Sequence, residues 1–287
     1  KNIMQYKYLL TYIFAVLLVT GSIVSCKKSN SSSLTPPAPV IDVQLGTNAN
    51  LGSLLTDSAG KTLYFFTMDA ADTSDCTGGC LAVWPVFNAT HLKLGTGLDA
   101  ADFKTITRSD GASQTTYKGW PLYYFQNDSK AGDVNGEGIE GIWFVAKPDY
   151  TVMLSNVQLV GNDGVLYDST YTPGTGKYQH LTDDRGVTLY SFKKDKADSN
   201  SFTKSDFSNN GVFPIFQVGT TLVAPSSINK SLLSTINVFG KTQLVFNGWP
   251  MYYYGADNKQ RGSTKAVSFP IPGIWPVVNQ YSPAAPQ

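Results

Sequence analysis

Four short stretches of this chain spell one pattern, Tyr-x-(Phe/Tyr)-x-x-Asp: TLYFFTMD, PLYYFQND, TLYSFKKD and PMYYYGAD. The tyrosines are Tyr64, Tyr123, Tyr190 and Tyr252, and the aspartates are Asp69, Asp128, Asp195 and Asp257. Side chains along a strand alternate faces with a period of two. Tyr64 therefore shares a face with Phe66, Tyr123 with Phe125, Tyr190 with Phe192, and Tyr252 with Tyr254. An aromatic pair kept at one register four times predicts four strands with that face in a core. The opposite face (Leu63/Phe65, Leu122/Tyr124, Leu189/Ser191, Met251/Tyr253) accepts Ser191, so it is expected to be only partly covered. Each aspartate falls past its strand end, where a short carboxylate bonds nearby backbone N–H groups and sets a turn. Contact with a ligand or ion is the alternative role.

The pattern belongs to a longer duplication. LTDSAGKTLYFFTMDAAD (55–72) answers LTDDRGVTLYSFKKDKAD (181–198), VWPVF (83–87) answers VFPIF (212–216), and GIWFV (141–145) answers GIWPV (273–277). VQL opens both copies, at 43–45 and 157–159, and the second copy carries an insertion before its LTD turn. The reading is two tandem β repeats, 43–154 and 155–281. Of the 21 acids only Glu137 and Glu140 are glutamate; aspartate suits turns and caps, glutamate helix interiors. LDAADFKTI (98–106) and PSSINKSLLSTI (225–236) are the places for short helices. The fold class is all-β, built as small sandwich or barrel-like units, with a blade-like arrangement of four sub-repeats as the alternative.

The first 42 residues are of another kind. Lys1 and Lys7 precede an apolar run from Tyr8 to Val24 that ends at Ser25-Cys26. A basic start, an apolar stretch and small residues before a cleavage point mark a secretory leader, here 1–25. IVSC resembles a bacterial lipobox, which implies lipidation at Cys26. KKSNSSSLTPPAP after it reads as a Ser/Pro-rich tether, 26–42, too polar to build a core. Loss of Lys1 and Lys7 from 22 basic residues leaves one fewer base than the 21 acids. That balance gives no electrostatic reason to expect nucleic acid as a partner.

Two cysteines remain, Cys76 and Cys80 in CTGGC. In an exported protein they are expected to form a disulfide; a copper or redox site drawing on Cys76, Cys80, His91 and Met68 is the rival. No Gly-x-Ser-x-Gly, His-Glu-x-x-His or Walker motif is present, and His91 and His180 occupy unmatched places in the two copies. The expectation is a chain that is not an enzyme. In NDSKAGDVNGEGIEG (127–141), Asp133, Asn135 and Glu137 alternate before Gly138 like the opening of a calcium loop. The full EF-hand pattern is not met, and a Gly-rich turn with solvated acids is the other reading. Trp120 and Trp249 each sit between Gly and Pro at a strand start or edge, as core residues or as platforms on which a ligand ring stacks.

The motif, the C-x-x-x-C…WP stretch, TRSDGASQTTYKGWPLYYFQND and AGDVNGEGIEGIW resemble the secreted-repeat lipoproteins of bacteria. That resemblance covers 45–147 well and 181–278 less well, where the cysteines and the acidic loop are missing. It implies a lipid-anchored protein of the cell envelope, facing periplasm or surface, with no established molecular function. The expected function is a non-catalytic binding or structural module, partnered by the membrane through its lipid and by an envelope glycan or protein. A copper or electron-transfer accessory and a carbohydrate-binding or carbohydrate-active protein are the rival readings.

Overall fold

The motif tyrosines pair with one another across each half of the chain. In the computed structural model, which describes residues 41–69 and 73–287, the Tyr64 N–H donates to Tyr123 O at 2.9 Å and the Tyr123 N–H donates back at 3.1 Å. Tyr190 and Tyr252 exchange the same two bonds at 2.8 and 2.9 Å. Each pair is flanked by a further extended segment on either side. Strand Tyr64–Phe66 lies antiparallel to Trp143–Val145, with Tyr64 opposite Val145, while Tyr123 bridges Val86. In the second half Tyr190 bridges Val277 and Tyr252 bridges Ile215. The four sub-repeats are thus joined in twos rather than set out as four separate blades. The leader, Cys26 and nearly all of the tether lie outside the described residues.

Small antiparallel sheets surround these rows. The hairpin Val43–Asn48/Gly52–Asp57 is answered by Met153–Val160 paired with Lys177–Thr182. The insertion adds the short strand Leu166–Tyr167 on the other edge of Met153–Val160. The meander Phe103–Thr107/Ser113–Tyr117/Trp120–Pro121 is answered by Leu233–Val238/Lys241–Phe246/Trp249–Pro250. The Gly-Trp-Pro stretches follow from the last turn of each meander. Tyr117 faces Trp120 across only Lys118 and Gly119, whose φ values are 50° and 84°. Two-residue hairpins of this kind need two positive φ angles, because that twist matches the strands they join. Asn247 and Gly248, at 48° and 83°, make the same turn before Trp249.

Every helical segment among the described residues is three or four residues long, and the fold is all-β. The two expected helices shrink to single turns, Ala100–Asp102 and Lys230–Leu232. Asp99 and Asn229 cap them by accepting from the N–H two residues on. Each turn runs straight into a strand, because Phe103 and Leu233 are already paired across the meander.

The face expected to be partly covered is half-buried at Tyr124 and Tyr253 and buried at its other positions. Leu63, Phe65 and Leu122 join Tyr117 and Trp120 in one core cluster, while Tyr64, Phe66, Tyr123 and Phe125 join Trp84 and Trp143 in another. Both faces of the tyrosine row are therefore packed, which two apolar faces in one strand require. Ser191 is buried too, its hydroxyl directed at Pro276 O at 3.4 Å. Phe144 and Val152 pack with Leu181, Leu189 and Leu244 from the second half, and Pro39–Gln287 forms one compact unit.

Candidate functional site

The four motif aspartates do more than set the loops that follow them; they cross over to the partner motif. The Tyr64 hydroxyl donates to Asp128 Oδ2 at 2.7 Å, and the Tyr123 hydroxyl donates to Asp69 Oδ2 at 2.7 Å. In the second half Tyr190 donates to Asp257 at 2.6 Å and Tyr252 to Asp195 at 2.7 Å. Each motif supplies a hydroxyl to its partner motif and takes one back. The second oxygen of each carboxylate then closes the loop that follows it. Asp69 accepts from the Asp75 N–H at 2.6 Å, Asp128 from the Asn135 N–H at 3.0 Å and Asp195 from the Ser201 N–H at 2.8 Å. Asp257 accepts from the Ser263 hydroxyl at 2.6 Å and the Lys265 N–H at 3.1 Å. The turn-forming role read from sequence is thus partly kept, but the bonds reach six to eight residues along the chain.

All four carboxylates are buried. Burial disfavours their charged form and pushes each above the ordinary carboxylate range, Asp69 up to about 7. The bonds from Tyr123 and the Asp75 N–H pull Asp69 the other way without cancelling that effect. Burial likewise pushes the Tyr64, Tyr123, Tyr190 and Tyr252 hydroxyls well above their usual value, so they remain proton donors.

Beside each crossing lies a groove walled by rings. In the first half Phe66 stacks on Trp143 at 4.0 Å, Trp143 stacks on Trp84 at 3.8 Å, and the Trp143 plane stands edge-on to Tyr123 at 5.1 Å. Phe125 completes the wall of a cavity of about 370 Å³. The second half repeats the stack as Phe192, Trp275 and Phe213, at 4.5 and 3.4 Å, with Trp275 edge-on to Tyr252 at 5.3 Å. Its cavity measures about 460 Å³ and has an apolar rim, with Val212 46 % and Ile271 60 % exposed. The polar rim of the first groove carries Asn127 and Glu140.

Cys76 and Cys80 are joined, with Cα atoms 5.4 Å apart. Their sulfurs are thereby removed as thiolate ligands, and the copper arrangement with His91 and Met68 is not formed. His91 is exposed, beside the Thr90 hydroxyl at 2.9 Å. His180 is wholly buried between Tyr178 O and the Thr188 hydroxyl, and burial pushes it down to about 4, so it stays neutral. The calcium reading gives way to the turn reading. Asp133 Oδ2 accepts from the Ser129 and Lys130 N–H groups, the Asn135 amide donates to Asn127 O, and Glu137 accepts from the Val145 N–H at 2.6 Å. Three side chains engaged by three stretches of backbone do not converge on an ion. Among the described residues no group of three or more His, Cys, Asp or Glu side chains is placed to hold a metal.

Trp120 is not a platform. It is 0 % exposed, its indole N–H donates to Asp184 O at 2.9 Å, and the Arg261 guanidinium covers its ring at 4.0 Å. Trp249 is half-buried against the second core, with its N–H on Pro283 O at 2.9 Å. Sequence reasoning missed the tryptophans that do line grooves, Trp84, Trp143 and Trp275, although GIW recurs and VWP is answered by VFP at matched places. It also missed two buried arginines. Arg108 donates to Ser74, to Gln114 at 2.7 Å and to Cys76 O at 2.7 Å, and Ser74 lies 2.6 Å from the Tyr123 hydroxyl. Arg261 donates to Asp69 O at 2.5 Å and Arg185 O at 2.9 Å, tying the halves together. Neither arginine has a counterpart in the other half, so the duplication carried no signal for them.

No helix among the described residues is long and apolar enough to cross a membrane. No curated protein and no solved structure matches the chain. Residues 47–88 and 104–147 each match the model of a family described as a secreted repeat of unknown function. The first stretch holds Tyr64 and Asp69 and the second Tyr123 and Asp128, so the matched unit is one arm of a crossing. On these residues the chain is similar to that secreted repeat twice over.

Proposed function

We propose that this chain is a non-catalytic binding module of the bacterial cell envelope, held to a membrane by lipid on Cys26. The observation that carries the binding role is the duplicated groove, with stacked rings at Phe66/Trp143/Trp84 and again at Phe192/Trp275/Phe213. Grooves walled by aromatic side chains with a few polar groups at the rim suit ligands that present a flat apolar face. The non-catalytic part is supported by the state of the buried carboxylates, whose oxygens are taken by tyrosine hydroxyls and by N–H or hydroxyl groups of the following loop. The anchor is supported by the IVSC sequence and the polar tether behind it. A carbohydrate ligand is the favoured class for the first groove, where Asn127 and Glu140 can bond hydroxyls beside the rings.

The test uses the exposed rim rather than the rings, whose loss would unfold the core. Val212→Asp and Ile271→Asp place charge at the mouth of the second groove and should leave the melting temperature within about a degree or two. Wild-type protein is expected to retain envelope glycan or protein that the double variant releases. Equal retention by both proteins would overturn the role of that groove. Radiolabelled palmitate should enter the wild type and not Cys26→Ala, and equal labelling would remove the anchor.

A further inference from the structure

A third cavity, of about 450 Å³, lies where the meander of the first half meets the second half. Its charge is one-sided in a chain that is close to neutral overall. Lys104, Lys118, Arg185, Lys259 and Arg261 line it, with Asp102 as the one carboxylate of the lining. Asp102 is already engaged by Arg185 at 2.5 Å, and Lys118 is held by Asp184 at 2.6 Å. Arg261 is buried, donates to the carbonyls of Arg185 and Asp69, and is not counted toward the free charge of the cleft. Lys104 and Lys259 are exposed and come from opposite halves. Neither side chain makes an ion pair among the described residues. Thr105, Thr116 and Gln260 add neutral hydrogen-bonding groups to the same walls.

We propose that this cleft binds a phosphate-type oxyanion carried on a sugar-sized body. Like charges gathered in a concave, partly desolvated site focus the field and favour an anion there. Asp184 and Asp102 are matched by Lys118 and Arg185, so among the described residues the charge left over is that of Lys104 and Lys259. Arg185 gives Asp102 one of its nitrogens and has further N–H donors to offer an oxyanion, and the two exposed lysines add point charges around it. The cleft is separate from the aromatic grooves and does not rest on their role. The same chemistry is offered by free phosphate and by a phosphate ester of an envelope sugar, and the volume favours the ester.

Isothermal titration calorimetry of the full chain in a neutral detergent, at low ionic strength, tests the proposal with inorganic phosphate, glucose 6-phosphate and uncharged glucose. Glucose 6-phosphate is expected to bind, glucose is not, and affinity should fall steeply as salt is raised. A tighter fit for the ester than for inorganic phosphate assigns the sugar-borne source, and equal affinities assign the free ion. Lys104→Gln with Lys259→Gln should weaken binding about tenfold with an unchanged melting temperature, since both are exposed. The charge-reversed pair, Lys104→Glu with Lys259→Glu, should abolish it. Absence of heat with both phosphates, or affinity untouched by both double variants, would overturn the proposal.

Discussion

A tyrosine hydroxyl that meets a buried carboxylate is a small group with a large effect. Tyr252→Phe keeps the ring and leaves Asp195 with the Ser201 contacts alone. Hydrogen bonds to charged or unreplaced buried partners contribute about 1.5–3 kcal/mol, so urea unfolding should show a loss of that size. Surface tyrosines such as Tyr281 should show none when changed to Phe. The acids also set a pH dependence with an unusual sign. Asp69 titrates near 7 in the folded chain against 3.8 in the unfolded one, so folding favours its protonated form. Its contribution to stability is fully present below the unfolded value and is lost as pH rises through about 7. Asp128, Asp195 and Asp257 shift in the same direction. Calorimetry should therefore find a lower melting temperature at pH 8 than at pH 5, and Asp69→Asn should flatten that slope; a rise over the same interval counts against it. The positions of these tyrosines and aspartates were legible from alternation and recurrence. Their crossed partnership was not, because periodicity tells which face a side chain takes and not which residue, 64 positions away, it will meet.

At the level of elements, local chemistry was readable wherever the chain turns tightly. Gly119 stands at φ 84°, a conformation in which a Cβ is strained, so Gly119→Ala should cost about 1–2 kcal/mol in chemical denaturation. Gly211 is the matching control: it has no positive φ and an open surrounding, and its change to Ala should be nearly neutral. Strand existence was legible too, as was the disulfide between Cys76 and Cys80. Helix length was not. LDAADFKTI and PSSINKSLLSTI carry good caps, yet pairing of Phe103 with Tyr117 and of Leu233 with Phe246 ends each helix after one turn. Nor was the burial of both faces of the tyrosine strands legible, since Ser191 looks like a surface residue until Pro276 O is seen opposite it.

For the molecule as a whole, Trp120 carries the joint between the halves. Its indole reaches Asp184 O and lies under Arg261, which in turn holds Asp69 O. Trp120→Ala should cost about 3–5 kcal/mol, the range for a buried large aromatic. Fluorescence and far-UV circular dichroism should still report one shared transition, because Phe144 and Val152 pack into the second core. Two separated transitions in the wild type would mean that the halves fold independently. The twofold repetition was legible from sequence, while the joint was not, since Arg261 and Asp184 belong to no repeated pattern. The crossed bonds carry a consequence for inheritance. A lone copy of the matched unit has a tyrosine with no carboxylate to receive its proton and a carboxylate with no hydroxyl to offer one. Leaving such groups buried and unmatched is costly, so copies of this unit can be gained or lost only in even numbers. A descendant that ended on an odd copy would have to complete the last crossing with a second molecule, and would be born a dimer.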